Sequence, residues 1–412
     1  MHRLTGRPVR ERWTRAIGTT LLTVGLAASA GAAEPTTGPA AAERTGPSPA
    51  LVVSADALDA AAPARDERDA QDDAASPVVE FFKQIEFSGL VDGYYMWAAN
   101  EVDPQLRAFA LGHNSFSLNY AEVAIGKPVS ETSRAGFQLD FGAGDTADVV
   151  NSFEPGGPDY LKHVQQAYVS YLVPAGQGLT VDFGKFVTPH GAELIESHTN
   201  YNYSRGLLFT LAIPFYHTGV RAVYPVTDKV TLTGFLVNGW NNVIDNNSDK
   251  TVGVGVAIAP TDRLSINQSY MVGKEGSSDD GVRHLYDALV TYTATDRLSI
   301  LGNVDYGQDE IGGADAQWYG VAVGLKYQLN DVWAVSPRYE LLKDDDGWAT
   351  GLSQTVQEVT LTADYQPAPG FLTRFEVRTD FSDEDYFTDS DGDFTSSQPT
   401  VIVSFTYSFS SK

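Results

Sequence analysis

The sequence predicts an all-β chain: a transmembrane antiparallel β-barrel of about 16 strands, with short periplasmic turns and long extracellular loops. Three observations carry this. From Glu86 to the C-terminus, segments of roughly ten residues alternate apolar and polar side chains, the length a tilted strand needs to cross a bilayer. The connections between them are alternately tight and long. No run of 18 or more apolar residues follows the N-terminal leader, so helical spans are excluded, and strands can cross lipid only as a closed barrel.

The leader comes first. Arg3, Arg7, Arg10, Arg12 and Arg15 stand against a single acid, Glu11, and the apolar stretch Ala16 to Ala28 follows. Small residues at Ala28-Ser29-Ala30 and Gly31-Ala32-Ala33 complete the pattern of a Sec signal peptide over residues 1–33, cleaved near Ala30 or Ala33. Its removal takes away five arginines and one glutamate and moves the formal charge from −25 to −29. Such an acidic chain does not bind nucleic acid, whose phosphates require Lys and Arg. With no cysteine, the exported protein has no disulfide framework. Residues 34–80, rich in Ala, Pro, Asp and Glu, read as a disordered periplasmic linker with too few bulky apolar residues to fold. Residues 81–412 form the barrel domain.

Sixteen strand segments are expected: 86–98, 115–126, 134–142, 163–173, 178–184, 215–224, 229–240, 250–259, 263–273, 283–294, 297–306, 317–328, 332–342, 355–366, 370–381 and 399–410. After the even-numbered segments come tight turns bearing Pro, Asp, Asn or Gly, such as Pro260-Thr261-Asp262 and Thr295-Asp296. After the odd-numbered segments come loops of roughly nine to thirty residues, the asymmetry of an outer-membrane barrel. The turn motif Thr261-Asp262-Arg263-Leu264-Ser265-Ile266 recurs at Thr295-Asp296-Arg297-Leu298-Ser299-Ile300. In the clearest strand, Phe371, Phe375, Val377 and Phe381 share the lipid face, with Leu372, Arg374, Glu376, Arg378 and Asp380 opposite. In the last strand Val401, Val403, Phe405, Tyr407 and Phe409 point outward, and that strand closes on the first. Aromatics gather at both strand ends, Tyr224, Tyr292, Tyr327, Trp333, Tyr365 and Phe371 on the turn side, Tyr95, Trp97, Trp240, Tyr270, Tyr286 and Tyr306 on the loop side, as headgroup belts.

Three stretches carry a family resemblance: Gly184-Lys185-Phe186-Val187-Thr188-Pro189-His190-Gly191-Ala192-Glu193, then Asn200-Tyr201-Asn202-Tyr203-Ser204-Arg205-Gly206, then Pro214-Phe215-Tyr216-His217-Thr218-Gly219-Val220-Arg221. On these the chain resembles the putative β-barrel porin-2 (OmpL-like) family of bacterial outer membranes over residues 86–412. The resemblance implies an outer-membrane porin for passive diffusion of small hydrophilic solutes and ions, and brings no catalytic or binding residues with it. One departure is the C-terminus, where Ser410-Ser411-Lys412 follow Phe409; barrel proteins commonly end on an aromatic. A homotrimer is expected by analogy with other sixteen-stranded porins. The expected partners are outer-membrane lipids and the permeant solutes or ions.

A sixteen-stranded barrel encloses a wet lumen. The inward positions expected to line it are Arg134, Asp140, Asp182, Asp287, Arg338, Glu340, Glu358, Arg374, Glu376, Arg378 and Asp380, alongside Gln138, Asn303, Asp305 and Asp364. Gly253, Gly255 and Ala257 leave space. The longest loop, 186–214, is the candidate constriction, offering Glu193, Glu196, His198 and Arg205, with Leu207-Leu208-Phe209 as an anchor on the wall. The outer loops are acidic, at Asp145, Asp148, Glu154 and Asp159, at Asp279 and Asp280, at Asp309 and Glu310, at Asp344-Asp345-Asp346, and from Asp383 to Asp393. A negative mouth concentrates cations, so modest cation preference is expected. No cofactor is expected. Asp389-Ser390-Asp391-Gly392-Asp393 departs from an EF-hand, so Ca²⁺ there would be adventitious. The histidines His113, His163, His190, His198, His217 and His284 accompany no nucleophile elbow and no metal-ligand spacing, so no enzyme is expected. Two rival readings remain: a solute-selective channel on the same barrel, and a non-transport surface adhesin or envelope tether.

Overall fold

The computed structural model describes residues 77–153, 159–276 and 281–411. The signal peptide, the linker as far as residue 76, and the loop acids Glu154, Asp279 and Asp280 lie outside the described residues. The last residues assigned to the linker enter a short helix, α1 (Pro77–Lys83).

Sixteen strands follow: β1 (Glu86–Ala98), β2 (Ser115–Lys127), β3 (Ala135–Ala143), β4 (Val164–Val173), β5 (Leu179–Val187), β6 (Tyr216–Thr227), β7 (Val230–Val237), β8 (Thr251–Thr261), β9 (Leu264–Gly273), β10 (Arg283–Thr295), β11 (Leu298–Ile311), β12 (Ala314–Gln328), β13 (Trp333–Asp344), β14 (Gln354–Ala368), β15 (Phe371–Ser382) and β16 (Ser397–Ser410). Each pairs antiparallel with its chain neighbours, and β16 pairs with both β15 and β1, so the sheet is a closed barrel. The closing ladder is long, from Ser88 opposite Ser410 to Ala98 opposite Thr400. Closure leaves no edge strand with unpaired backbone groups in lipid. No helix among the described residues is long and apolar enough to cross a membrane.

Side-chain alternation produces the two faces. On β15, Phe371, Phe375, Val377 and Phe381 are exposed, while Leu372, Arg374, Glu376, Arg378 and Asp380 are buried inside. On β16, Val401, Phe405, Tyr407 and Phe409 are exposed and Ile402, Ser404 and Thr406 are buried. Outside stands a continuous apolar surface that in a soluble protein would aggregate; inside is a polar wall.

Three details differ from the sequence expectation. The connection between β11 and β12 is not a long loop. Both strands run on to a two-residue turn, Gly312-Gly313, whose φ values of 59° and 82° match the twist of a hairpin. β5 extends past Gly184 to Val187, so Phe186 is an inward barrel residue rather than the start of the loop. β7 stops at Val237, which leaves Trp240 in a buried loop cluster. There Trp318 and Trp348 stack at 3.6 Å between ring centroids, and the Arg283 guanidinium lies 5.0 Å from the Trp240 ring. Trp240 therefore contributes nothing to the loop-side belt, whereas Trp97, Tyr286 and Tyr306 are exposed at that end.

A charge on the lipid face tests this arrangement directly. Val377 is 50% exposed at the middle of β15, opposite Leu361 and Val401. Val377→Arg is expected to destabilise the barrel by about 2–4 kcal/mol, measured as a lowered unfolding midpoint in a lipid bilayer.

Candidate functional site

The loop of residues 188–215 between β5 and β6 folds into the barrel instead of standing above it. From Ser204 to Tyr216 every residue is buried. Its α-helix, α2 (Leu207–Leu211), packs Leu208 over Gly320 of β12, and Phe209 meets Phe109 and Phe215 at ring distances of 5.6 and 5.7 Å. Leu207-Leu208-Phe209 is thus the anchor on the wall that the sequence suggested. Gly320 fits its place because a Cβ there would strike Leu208. The loop of residues 99–114 also turns inward, bringing Phe109 and Arg107 to the same cluster.

Three arginines of the wall clamp the loop by its backbone. Arg374 Nη1 donates to Ser197 O at 2.5 Å and to Asn202 O at 3.2 Å, Nη2 donates to Asn200 O, and Nε holds Asp364 at 2.9 Å. Arg378 Nη1 donates to Arg205 O at 2.5 Å while its Nε holds Asp380 at 2.8 Å. Arg338 Nη1 donates to Ser204 O at 2.8 Å and to Glu193 Oε1 at 2.6 Å, with Nε on Glu358 at 2.7 Å. Wall carboxylates complete the clamp by accepting loop N–H groups. Glu376 takes Tyr203 N at 2.6 Å and Ser204 N at 3.0 Å, and Glu340 takes Leu208 N at 2.9 Å. Asp92 on β1 accepts from Asn119, Ser197, Tyr203 and Thr406. A planar guanidinium offers five donors in a fixed fork, which suits a row of carbonyls that would otherwise be buried unpaired.

These contacts revise the expected lining. Arg338, Glu340, Glu358, Arg374, Glu376, Arg378 and Asp380 do point inward, but the loop covers them and all are buried. They seal one half of the lumen. Asp380 also takes Arg107 Nη2 at 2.6 Å, so the second inward loop is tied to the same wall. Arg134 lies one residue before β3, half-buried at the turn-side rim rather than on the wall.

The other half of the lumen, β2 to β6, stays open. Glu122, Gln138, Gln166, Tyr168, Ser170 and Arg221 point inward and are only partly buried. Asp182 binds Arg221 through Nε and Nη2 at 2.9 and 2.8 Å, and Arg221 lies 4.6 Å over the Phe186 ring. Asp140 accepts from Gln138 and Gln166. Against this wall the loop presents its half-buried residues Glu193, Glu196 and His198. Glu193 is committed to Arg338 and to Gly206 N at 2.6 Å, and Arg205 turns its guanidinium back onto loop carbonyls, including Tyr203 O at 2.7 Å. Glu196 is different. Its charge faces Glu122 and Asp140 across the remaining gap. Burial raises the Glu196 carboxyl above the ordinary glutamate range, and the Asp140 charge adds to the rise. His198, crowded by burial and by Arg374 and Arg205, is lowered to about 4 and is neutral at pH 7.

Glu122, Asp92 and Arg221 are among the lumen residues absent from the expected lining. β2 carries a bulge: Asp92 pairs with Tyr120 and Gly93 with Leu118, so Asn119 is extra. Past it the inward parity switches from odd to even numbers, which brings Tyr120 and Glu122 to the lumen. The run Ser117-Phe116-Ser115 read with strict alternation puts Glu122 on the wrong face. Of the outer acids, Asp309 is buried on Arg283 and Asp344 caps the turn at residues 348–350, so neither contributes free charge to the mouth. Asp389 Oδ1 accepts the N–H groups of Asp391 and Asp393 at 3.0 Å each, a turn closed on itself.

The clamp gives a measurable expectation. Arg374→Met keeps the bulk but removes the guanidinium bonds to the carbonyls of Ser197, Asn200 and Asn202 and leaves Asp364 to Lys326 alone at 3.3 Å. Loop docking is expected to weaken by about 3–5 kcal/mol, the scale for breaking a buried charge pair. Faster hydrogen exchange over residues 194–204 and larger, noisier single-channel conductance are the readouts.

Solved structures share this architecture. The anion-selective porin from Comamonas acidovorans superposes with a TM-score of 0.56 at 12% identity, covering 79% of this chain and 99% of that one. The outer membrane channel DcaP of Acinetobacter baumannii gives 0.53 at 14% identity, over 79% and 97%. In-vitro folded OmpT of Vibrio cholerae, in its trimer form, gives 0.53 at 13% identity, over 79% and 99%. At such identities the likeness is one of fold. No curated protein matches the chain in sequence. The family model of Putative beta-barrel porin-2, OmpL-like, matches residues 84–409, and the chain belongs to that family: it is an outer-membrane porin, a channel for the diffusion of solutes.

Proposed function

We propose that this porin passes small hydrophilic solutes with a preference for cations, and that the preference is set at the constriction. One observation carries the reading. The sealed wall pairs its acids with Arg107, Arg338, Arg374 and Arg378, whereas the gap between the loop and the open wall is faced by Glu122, Glu196 and Asp140. Carboxylates at a narrowing act on ions more strongly than charges spread over an outer mouth, because low-dielectric walls focus their field. The exposed acids Asp383, Glu384, Asp385 and Asp391 on the outer loops add to the same sign.

A second reading, a solute-selective channel, draws on one feature. A cleft between the loop and the wall is lined by Leu194, Tyr201, Leu289 and Leu301 with Arg338 and Glu340 at one side. Such an amphipathic recess suits a small organic solute with a polar end. Block of conductance by a candidate solute at low concentration would favour it. Export by the Sec pathway with removal of residues 1–33, and assembly as a homotrimer, belong to the same proposal. The leader pattern supports the first and the trimer form of Vibrio cholerae OmpT the second.

In planar bilayers under a KCl gradient, the reversal potential is expected to have the sign of K⁺ preference. Glu122→Gln with Glu196→Gln is expected to lower the permeability ratio toward unity, while Asp391→Asn leaves it near the parent value; clear anion preference of the parent overturns the proposal. The acid form of Glu196 carries no charge, and its carboxyl is raised by burial. Cation preference is therefore expected to fade as pH falls, with a midpoint above the ordinary glutamate value of ~4.3.

A further inference from the structure

Acids buried in this lumen come either with a base or, as Asp92, Asp140 and Glu376 do, with several hydrogen-bond donors. Asp182 has Arg221, Asp309 has Arg283, Asp364 has Arg374, Glu358 has Arg338, and Asp380 has Arg107. Asp287 and Asp305 have no base. They are direct cross-strand neighbours on β10 and β11, both inward, at 1% and 0% exposure. Like charges placed opposite each other repel, and burial multiplies the repulsion. The two carboxyls are nevertheless in contact with one another, and a further charge that acts on Asp305 is another acid, Glu340.

The donor inventory around the pair is uneven. Asp287 is well supplied: Asn303 Nδ2 donates to Oδ1 at 2.7 Å, Ser269 Oγ to Oδ2 at 3.3 Å, and the Gly191 N–H also reaches it. Asp305 is poorly supplied: Asn303 and the Asp287 carboxyl lie beside it, but neither of its buried carboxylate oxygens has a hydrogen-bond partner in good geometry. Elsewhere in this wall a buried carboxylate that lacks an arginine finds backbone N–H groups, as Glu376 does. An isolated buried carboxylate is among the costliest groups a fold can hold, so its oxygens require a positive partner of some kind.

We propose that Asp287 and Asp305 bind a divalent cation, with Ca²⁺ as the best match, which staples the root of the constriction loop to the barrel. The ligand set is oxygen only: both Asp305 oxygens, Asp287, the Ser269 hydroxyl, and the Asn303 side-chain carbonyl that is left over while its Nδ2 donates. Two carboxylates neutralise one divalent charge. Hard oxygen donors from a flexible set, in a place with little room for water, suit Ca²⁺ over Mg²⁺, which keeps several of its waters. The connection to the loop is direct. His190 Nδ1 lies 2.6 Å from Ser269 Oγ, and Gly191 follows it, so the first turn of the loop rests on the proposed ligands. The site sits beneath the loop and takes no part in the acidic gap at Glu122 and Glu196.

The test uses the full-length refolded porin in detergent. The protein is stripped with EDTA, given Ca²⁺ alone, desalted, and assayed for retained metal by mass spectrometry, with binding isotherms measured alongside. Expected is one retained Ca²⁺ per chain and a higher melting temperature with Ca²⁺ than with EDTA. In Asp305→Asn that site is expected to weaken by roughly 10–100-fold or more, whereas Asp389→Asn with Asp391→Asn on the outer loop retains it. If Asp305→Asn fails to fold, the parent decides alone. Absence of a retained ion together with a melting temperature indifferent to Ca²⁺ overturns the proposal, and so does a retained ion that survives in Asp305→Asn. A pair that shares a proton instead would show no ion and a melting temperature that rises as pH is lowered from 8 to 6, which also overturns it.

Discussion

The constraint on which the rest depends is that no backbone N–H or C=O can go unpaired in hydrocarbon. For a chain without long apolar helices it leaves one solution, a sheet closed on itself, and the ladder from Ser88–Ser410 to Ala98–Thr400 provides it. Closure then fixes everything inside. With the register set, every second residue of sixteen strands is committed to the lumen, polar or not, charged or not. The wall of β13 to β15 thereby receives Arg338, Glu340, Glu358, Arg374, Glu376, Arg378 and Asp380 within a small area. The loop of residues 188–215 is the chain's means of satisfying them.

That loop has little regular structure of its own. Its longest helix is five residues, so most of its carbonyls and N–H groups have no partner within the segment. The wall charges meet that need. Arginines take the carbonyls of Ser197, Asn200, Asn202, Ser204 and Arg205, and Glu376 and Glu340 take N–H groups from Tyr203, Ser204 and Leu208. Buried ion pairs alone often only break even against their desolvation. Here the same arginines also satisfy backbone groups, and charge-assisted hydrogen bonds are about twice as strong as neutral ones. The result is an inward-folded loop fixed in position by side chains buried beneath it.

Strand positions were legible because period-two alternation is a local property. Arg374, Glu376, Arg378 and Asp380 could be placed inside from six or seven residues of context. Their use as a clamp could not, since Arg374 meets Asn200 across 174 residues of sequence. Local rules also fail where the strand itself is irregular. The extra residue Asn119 shifts the parity of β2 and hides Glu122, although the mixture of Asn119, Tyr120 and Glu122 in one short stretch is a sign of such a shift. The Gly312-Gly313 hairpin was readable in principle, since paired glycines supply the positive φ that a two-residue turn needs. What concealed it is that alternation continues past Tyr306 through Gln308 and Glu310 with polar residues on both faces. Above the membrane the outward face no longer needs to be apolar, so the hydrophobic signal stops before the strand does.

The lumen is thus divided by how far water reaches. Where the loop seals the wall, charges are balanced nearly one for one, because low dielectric makes imbalance costly. Where the wall is open, water can screen a surplus, and the unbalanced carboxylates Glu122 and Glu196 are half-buried rather than sealed. A free charge useful to a permeant ion can persist only on that side. The division also explains why Asp305 stands out: it is an unbalanced acid on the sealed side, where the same reasoning that permits Glu122 forbids it without a counter-charge. Sealed and open faces therefore lie on opposite walls of one cylinder, and the boundary between them is drawn by the line along which the loop lies.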